Sequence, residues 1–416
     1  MLNFSLIFYF VAIYCDFGRF SVLAFLVYLV MLFLDIARKQ RTTLSTLKGY
    51  DLLFLMLFTG QVLVGAIYTH LPKGHNLSAN FLTFAVLMII LARIQTPQAR
   101  DHSGQFQGLI IVGIGSAVLS IVQVAFGEAF NPIIYLKPEF IQTVQGQMLT
   151  TGNFSGFGIF PSRTTNGLFL VFVLNALFAR LLLGHGKMMI NAIWASIVMA
   201  GLFASFSRTP LIAALVSIIL CFLVYSKGGA AGSRIRVFHV LPLVVLISCL
   251  VWLLLDHWGI ASIVRDAIAS RLEVADFDYY ARNYIWRNAL SKLDSPLSFV
   301  WGLGTGGSVF RYEAHSAYVE LIVEFGVLGV LLYTGFLVFT IRAAFTAFVI
   351  GIVKSNERNA FGVYLCWIAA LFVNGLTAGS FRMGDVIQAL PLIMLTKTQP
   401  VIDFLSSSST AENPKI

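Results

Sequence analysis

MINAIWASIVMAGLFASFSRTPLIAALVSIILCFLVYS, residues 189–226, holds one charged residue, Arg208. Two apolar runs, 189–206 and 211–226, flank the tight turn Ser205-Phe206-Ser207-Arg208-Thr209-Pro210. Each run approaches the roughly 20 residues that a helix needs to cross a hydrocarbon core. Lipid offers no partner to backbone N–H and C=O groups, so such runs must be helices. The pattern recurs along the chain, at 2–15, 20–37, 51–69, 80–95, 106–126, 166–184, 239–256, 315–340, 361–379 and 384–397. The reading is an all-α polytopic membrane protein of about twelve spans.

The whole composition agrees. Hydrophobic residues make up 58% of the 416 positions and charged residues 11%, with a mean hydropathy of +0.84. A soluble globular protein is excluded. We expect one transmembrane domain over residues 1–405 and a disordered, Ser-rich cytoplasmic tail at 406–416. The four cysteines, Cys15, Cys221, Cys249 and Cys366, all lie in apolar runs. They read as small buried hydrophobes, with no disulfide and no metal site. The excess of base over acid, 28 Lys and Arg against 19 Asp and Glu, fits anionic lipid or an anionic substrate. Nucleic acid is not expected, because no basic soluble module is present to hold it.

With an even number of spans both termini share one side. Arg38, Lys39, Arg41 and Lys48, then Lys227, Arg234 and Arg236, then Arg342, Lys354 and Arg358 fall in short loops on that side. Short basic loops stay in the cytoplasm, while long loops translocate largely regardless of charge. Both termini are therefore expected in the cytoplasm. Two long segments, 127–165 and 257–314, are expected to face the periplasm, where long loops are usually functional. Within the second, 259–275 and 281–293 read as amphipathic surface helices.

A few ionisable residues stand at the outer mouths of spans: Arg163, Arg208, Arg282, Arg311 and His315. In a chain this apolar they carry most of the functional information. Arg208 sits where Thr209 can cap, and Pro210 can open, the next helix, so a guanidinium, free amides and a positive helix end coincide. Arg282 heads a face with Trp286, Ala289 and Leu293; snorkelling to lipid phosphate and a substrate contact both suit it. Arg163, in Pro161-Ser162-Arg163-Thr164-Thr165-Asn166, is a further anion ligand, with Arg311 and Arg271 ranked below it. His315 opens a span and can accept a proton from a hydroxyl near neutral pH. Glu320 and Glu324 follow on one face of that helix, as structural partners. Asp276-Phe277-Asp278 reads as a solvated acidic stretch, not a metal site. In Trp301-Gly302-Leu303-Gly304-Thr305-Gly306-Gly307 the glycines suit a tight backbone path back into the membrane, not a nucleotide loop.

His315-Ser316, nine residues, then Gly326-x-x-Gly329 resembles the signature of the O-antigen ligase family. That family includes O-antigen and exopolysaccharide polymerases and pilin O-oligosaccharyltransferases. The resemblance extends to Arg282-x-x-x-Trp286-x-x-Ala289-Leu290, to Gly302-x-Gly304, and to Ser207-Arg208 after the seventh span. It covers roughly residues 200–345 by motif. Val330 departs from the Thr that many ligases carry after the second glycine, and the arginine-x10-glycine repeat of some polymerases is absent.

The resemblance implies a GT-C-like fold and an inverting, metal-independent glycosyltransferase at the periplasmic face of the bacterial inner membrane, working without a cofactor. It would move a glycan from undecaprenyl pyrophosphate to a hydroxyl of lipid A–core oligosaccharide. His315 matches the catalytic histidine, and Arg208 and Arg282 match the arginines that hold the pyrophosphate. A polymerase of the same family, using another lipid-linked glycan as acceptor, is the alternative. A transporter or flippase of lipid-linked sugars ranks below both, because such proteins place charge and broken helices at mid-membrane, often in repeated halves.

Overall fold

The structure is a computed structural model. It describes residues 102–126, 156–160, 163–184, 187–228, 275–304, 316–350 and 355–375, with short stretches and single positions within 27–44, 94–95 and 242–262. The spans expected at 2–15, 20–37, 51–69, 80–95, 239–256 and 384–397 lie wholly or mostly outside the described residues, as do the helix at 259–275 and the tail.

Among the described residues the secondary structure is helical, save one antiparallel pairing of β1 (Thr43–Leu44) with β2 (Ile94–Gln95). The helices are α1 (His102–Phe126), α2 (Arg163–Leu183), α3 (Met188–Ala204), α4 (Arg208–Gly228), α5 (Ala275–Leu290), α6 (Pro296–Trp301), α7 (Ala317–Ile350) and α8 (Ser355–Gly375). Three carry a stretch long and apolar enough to cross a membrane: Phe106–Phe126, Arg163–Leu183 and Arg208–Tyr225. Met188–Ala204 and Gly362–Gly375 are shorter apolar helices. The chain divides into two compact units, interleaved in sequence. One is Met1–Met31, Asp101–Asp276 and Cys366–Asn374; the other is Leu32–Arg100, Phe277–Leu365 and Gly375–Ile416.

The first unit is built around α2. Residues Leu168 to Ala179 of this helix are buried on every side, which is why its sequence is apolar all round rather than striped. Apolar side chains gain little by leaving lipid for one another, so helix association there rests on close packing and on hydrogen bonds between helices. Both are present. Asn175 Nδ2 donates to Ser217 Oγ on α4 at 3.0 Å. The indole N–H of Trp367 donates to the carbonyl of Phe172 at 2.9 Å, and the two rings stack at a centroid distance of 5.3 Å. Between α1 and α3 the backbones nearly touch: a Cβ at Gly201 would lie 2.6 Å from Ala117 Cα. The outward side of α4 exposes Ile212, Leu215, Ile219 and Leu223, the apolar stripe that lipid contact requires.

The second unit contains α6, capped by Ser295 and Ser298 in a reciprocal capping box with Pro296 at its start. It also contains α7, 34 residues long and so about 50 Å at 1.5 Å per residue. α7 is broken once, at Gly326, whose φ of 63° and ψ of −174° only glycine adopts without strain. Sequence periodicity ended this helix at residue 340; it continues to Ile350, and the break falls at the first glycine of the Gly326-x-x-Gly329 pair.

Gly201 and Gly115 make a matched test of the α1–α3 contact. Gly201→Ala drives a Cβ into the Ala117 backbone and is expected to destabilise by about 1–3 kcal/mol. Gly115, on α1, has no heavy atom within 4 Å of a built Cβ, so Gly115→Ala is expected to be neutral or stabilising by up to about 1 kcal/mol. Thermal unfolding of the purified protein reads both; equal shifts would refute the close approach.

Candidate active site

α3 and α4 join through a reversal shorter than the periodicity predicts. Ser205 closes α3, its N–H bonding Gly201 O at 3.1 Å and Leu202 O at 3.2 Å. Phe206 then takes a φ of 50°, the one left-handed non-glycine among the described residues. Such a conformation costs a bulky residue of the order of 1–3 kcal/mol. Burial of the Phe206 ring beside Val124 and Ala204 offsets this. The chain turns within two residues, and α4 starts at Arg208 rather than after Pro210. Pro210 therefore sits third in the helix, not at its opening. It is tolerated there because first-turn N–H groups have no intrahelical partner.

Arg163 starts α2 as Arg208 starts α4. The two starts meet: Thr164 Oγ1 and Ser207 Oγ are 3.2 Å apart. One turn further in, a Cβ on Gly167 would lie 2.7 Å from Pro210 Cγ, so nothing larger than glycine lets the helices approach this closely. Two arginines and two helix N-termini thus share one corner of the first unit. The arrangement is electrostatically unfavourable on its own account. A helix N-terminus carries about half a positive charge and favours acids, and neither helix has an acid in its first turn. Nη1 of Arg163 is buried with no hydrogen-bond partner among the described residues. A corner of positive ends, guanidinium groups and an unsatisfied donor has the chemistry of an anion site.

A piece of non-helical backbone lies beside it. Gly156–Phe160, read from the sequence as part of a long loop, lies among α1, α2 and the end of α3, buried except for the half-buried Ile159. Its N–H groups are bound to Ala204 O, to the side chain of Gln123 and to Ser116 Oγ. Asn166 of α2 in turn bonds Ser120 on α1 and the carbonyl of Gly156. Sequence reasoning passed over Gln123, Asn166, Ser116 and Ser120. The available signal was their polarity inside otherwise apolar runs.

In the second unit α5 runs from Ala275 to Leu290, earlier at both ends than the expected 281–293. Asp276 and Asp278 therefore fall in its first turn, where acids suit the helix dipole. Arg282 lies on this helix; its side chain is outside the described part of the structure. Of the face assigned to it, Ala289 is buried and Trp286 half-buried, while Tyr284 and Arg287 on the other side are exposed. Just past the helix, partial burial holds the Lys292 ammonium below the ordinary lysine range.

His315 and Arg311 lie outside the described residues. The helix that His315 precedes is described from Ser316, which is buried and accepts the Glu320 N–H at 3.0 Å. Glu320 and Glu324 are both buried. The break at Gly326 leaves two carbonyls of α7 to outside donors. Leu303 N donates to Val323 O at 2.9 Å and Gly304 N to Glu324 O at 3.0 Å. Gly302 and Gly326 stand face to face: a Cβ on Gly302 would lie 2.3 Å from Glu324 O, and one on Gly326 2.4 Å from Gly302 N. The tight path expected of Gly302 and Gly304 is thus a backbone clasp. It fastens the segment after α5 and α6 to the first turns of α7.

The structure brings together the helix starts that Arg163 and Arg208 occupy, and places Arg282 on α5. Among the described residues no three His, Cys, Asp or Glu side chains gather to hold a metal ion. No curated protein matches the chain significantly. A family model does match, that of the O-antigen ligases, over residues 191–334. The match begins in α3 and runs through α4, α5, α6 and the Gly326 break. The stretch of this membrane protein that holds Arg208, Arg282, His315 and the glycine clasp is thus the part that matches the O-antigen ligase family model.

Proposed function

We propose that this protein is an O-antigen ligase-type glycosyltransferase. It moves a glycan from undecaprenyl pyrophosphate to a hydroxyl of lipid A–core oligosaccharide. It is a GT-C-like bundle of about twelve spans in the inner membrane, with both termini cytoplasmic and the long loops periplasmic. The observation that carries this reading is the corner where two arginine-led helix N-termini meet, one of them inside the family domain.

The chemistry asks little beyond charge and a base. A diphosphate is already a good leaving group. As the bond from the anomeric carbon to the diphosphate oxygen breaks, charge builds on that oxygen. Arg208, Arg282 and Arg163 stabilise it through paired, charge-assisted hydrogen bonds. The acceptor hydroxyl oxygen forms the new bond from the opposite face, which inverts the anomeric centre. Its proton passes to His315 as general base. No step needs a metal or cofactor. The clasp at Gly302 and Gly326 fastens the end of the α5–α6 segment, which carries Arg282, to the helix that follows His315. A polymerase would run the same steps with a second lipid-linked glycan as acceptor, and the acceptor offered to the purified protein decides between them.

His315→Ala is expected to leave a folded, inserted protein whose transfer rate falls by about 10²–10⁴-fold; wild-type turnover would remove histidine as the base. Arg208→Ala is expected to lower kcat/KM by about 10²–10³-fold, and an unchanged value would disconnect the helix corner from the reaction. Transfer is expected to continue in EDTA. Loss in chelator, restored by a divalent ion, would instead assign Asp276 and Asp278 to a metal.

A further inference from the structure

Gln123, in the last turn of α1, is fully buried. A primary amide in an apolar bundle is costly unless its hydrogen bonds are made. Three of them go to one place. Its Oε1 accepts from Phe157 N at 2.7 Å and from Gly158 N at 2.9 Å, and its Nε2 donates to Gly158 O at 2.9 Å. A single side chain therefore serves three backbone groups of the Gly156–Phe160 strap. A contact between helices would need only one such bond; this pattern is that of a side chain replacing the secondary structure the strap lacks.

The strap leads directly to Arg163. Its last residue, Phe160, packs its ring edge-on against Phe169 of α2 at 4.9 Å. Its first, Gly156, is anchored to Ala204 O at 2.8 Å, beside the turn that delivers Arg208. The first turn of α2 is held from the α1 side as well, since Asn166 exchanges hydrogen bonds with Ser116 and Ser120, each at 2.8 Å. The rotation of α2 about its axis, and with it the direction of Arg163, is set by this network on one side and by the Thr164–Ser207 contact on the other.

We infer that Gln123 is a positioning residue: through the Gly156–Phe160 strap it holds Arg163 against the start of α4, so that the buried Nη1, without a partner among the described residues, meets the diphosphate of the donor. This rests on the reading of the Arg163–Arg208 corner as the pyrophosphate seat. It extends that reading to residues outside the matched segment 191–334.

The test uses the full chain in lipid nanodiscs and inorganic pyrophosphate as the probe, read by thermal protection. KM and kcat for lipid-linked donor are measured alongside. Gln123→Leu is expected to weaken pyrophosphate protection and raise donor KM on the order of tenfold, with a smaller change in kcat. Arg163→Gln is expected to do the same. The two together are expected to do little more than either alone, because Gln123 acts only through Arg163. A merely structural role would instead lower stability without this coupling. Full additivity, or a folded Gln123→Leu protein with unchanged pyrophosphate protection, overturns the inference. If Gln123→Leu fails to fold, Gln123→Glu serves in its place. A protonated carboxyl can both accept from the strap and donate to Gly158 O, an ionised one can only accept, so its pyrophosphate protection is expected to weaken as pH rises and a flat profile counts against the inference. Coupled loss of pyrophosphate binding without any glycan transfer by the wild type would leave the positioning intact and sink the proposed reaction. A wild type that pyrophosphate does not protect sinks the positioning too.

Discussion

Backbone that leaves the helix inside an apolar bundle must find every hydrogen-bond partner within the protein. Two segments here do so, by opposite means. Gly156–Phe160 is served by side chains, chiefly Gln123 and Ser116, with the Ala204 carbonyl at one end. Leu303 and Gly304 are served by backbone, through carbonyls that α7 gives up at Gly326. Each solution has a steric condition. The first needs buried amides and hydroxyls at set positions on α1 and α2. The second needs glycine on both sides, because a Cβ on either Gly302 or Gly326 would overlap the other strand of the clasp.

Both irregular segments adjoin the residues with chemistry to offer. The strap runs into Arg163, and the clasp ties the segment carrying Arg282 to the helix that begins just after His315. Regular helices alone would serve a bundle that only had to stand in a membrane. Irregular backbone is tolerated at depth where it is buried in protein or lines a cavity, and the strap's place just before Arg163 fits a site rather than a scaffold. The charge distribution says the same. Arg163 and Arg208 each stand at a helix end that repels them, a placement that an anionic ligand would turn from unfavourable to favourable.

Much of this was legible in the sequence, for a simple reason. Long apolar runs have one solution in lipid, so helices near 106–126, 166–184, 189–206 and 361–379 follow from composition and length. Their ends were read less well. The start of α4 came three residues early because a buried Phe206 can sustain a left-handed turn, which no periodicity reveals. The start of α5 came six residues early because acids at Asp276 and Asp278 extend a helix backwards from its apolar face. The histidine-and-glycine spacing named the family, and a family match over residues 191–334 bears it out. Spacing did not say what the glycines do.

Order and chemistry thus came from the chain alone. Hydrophobic runs require helices, and arginines or a histidine at their mouths require an explanation, whatever the packing. Association belongs to tertiary structure. That Arg163 shares a corner with Arg208, some 45 positions on, depends on a glycine small enough to admit Pro210. That Gln123 supports the strap before Arg163 depends on α1 lying beside it. Hydrogen bonds between segments distant in sequence leave no periodic trace; only the folded bundle sets which polar groups meet.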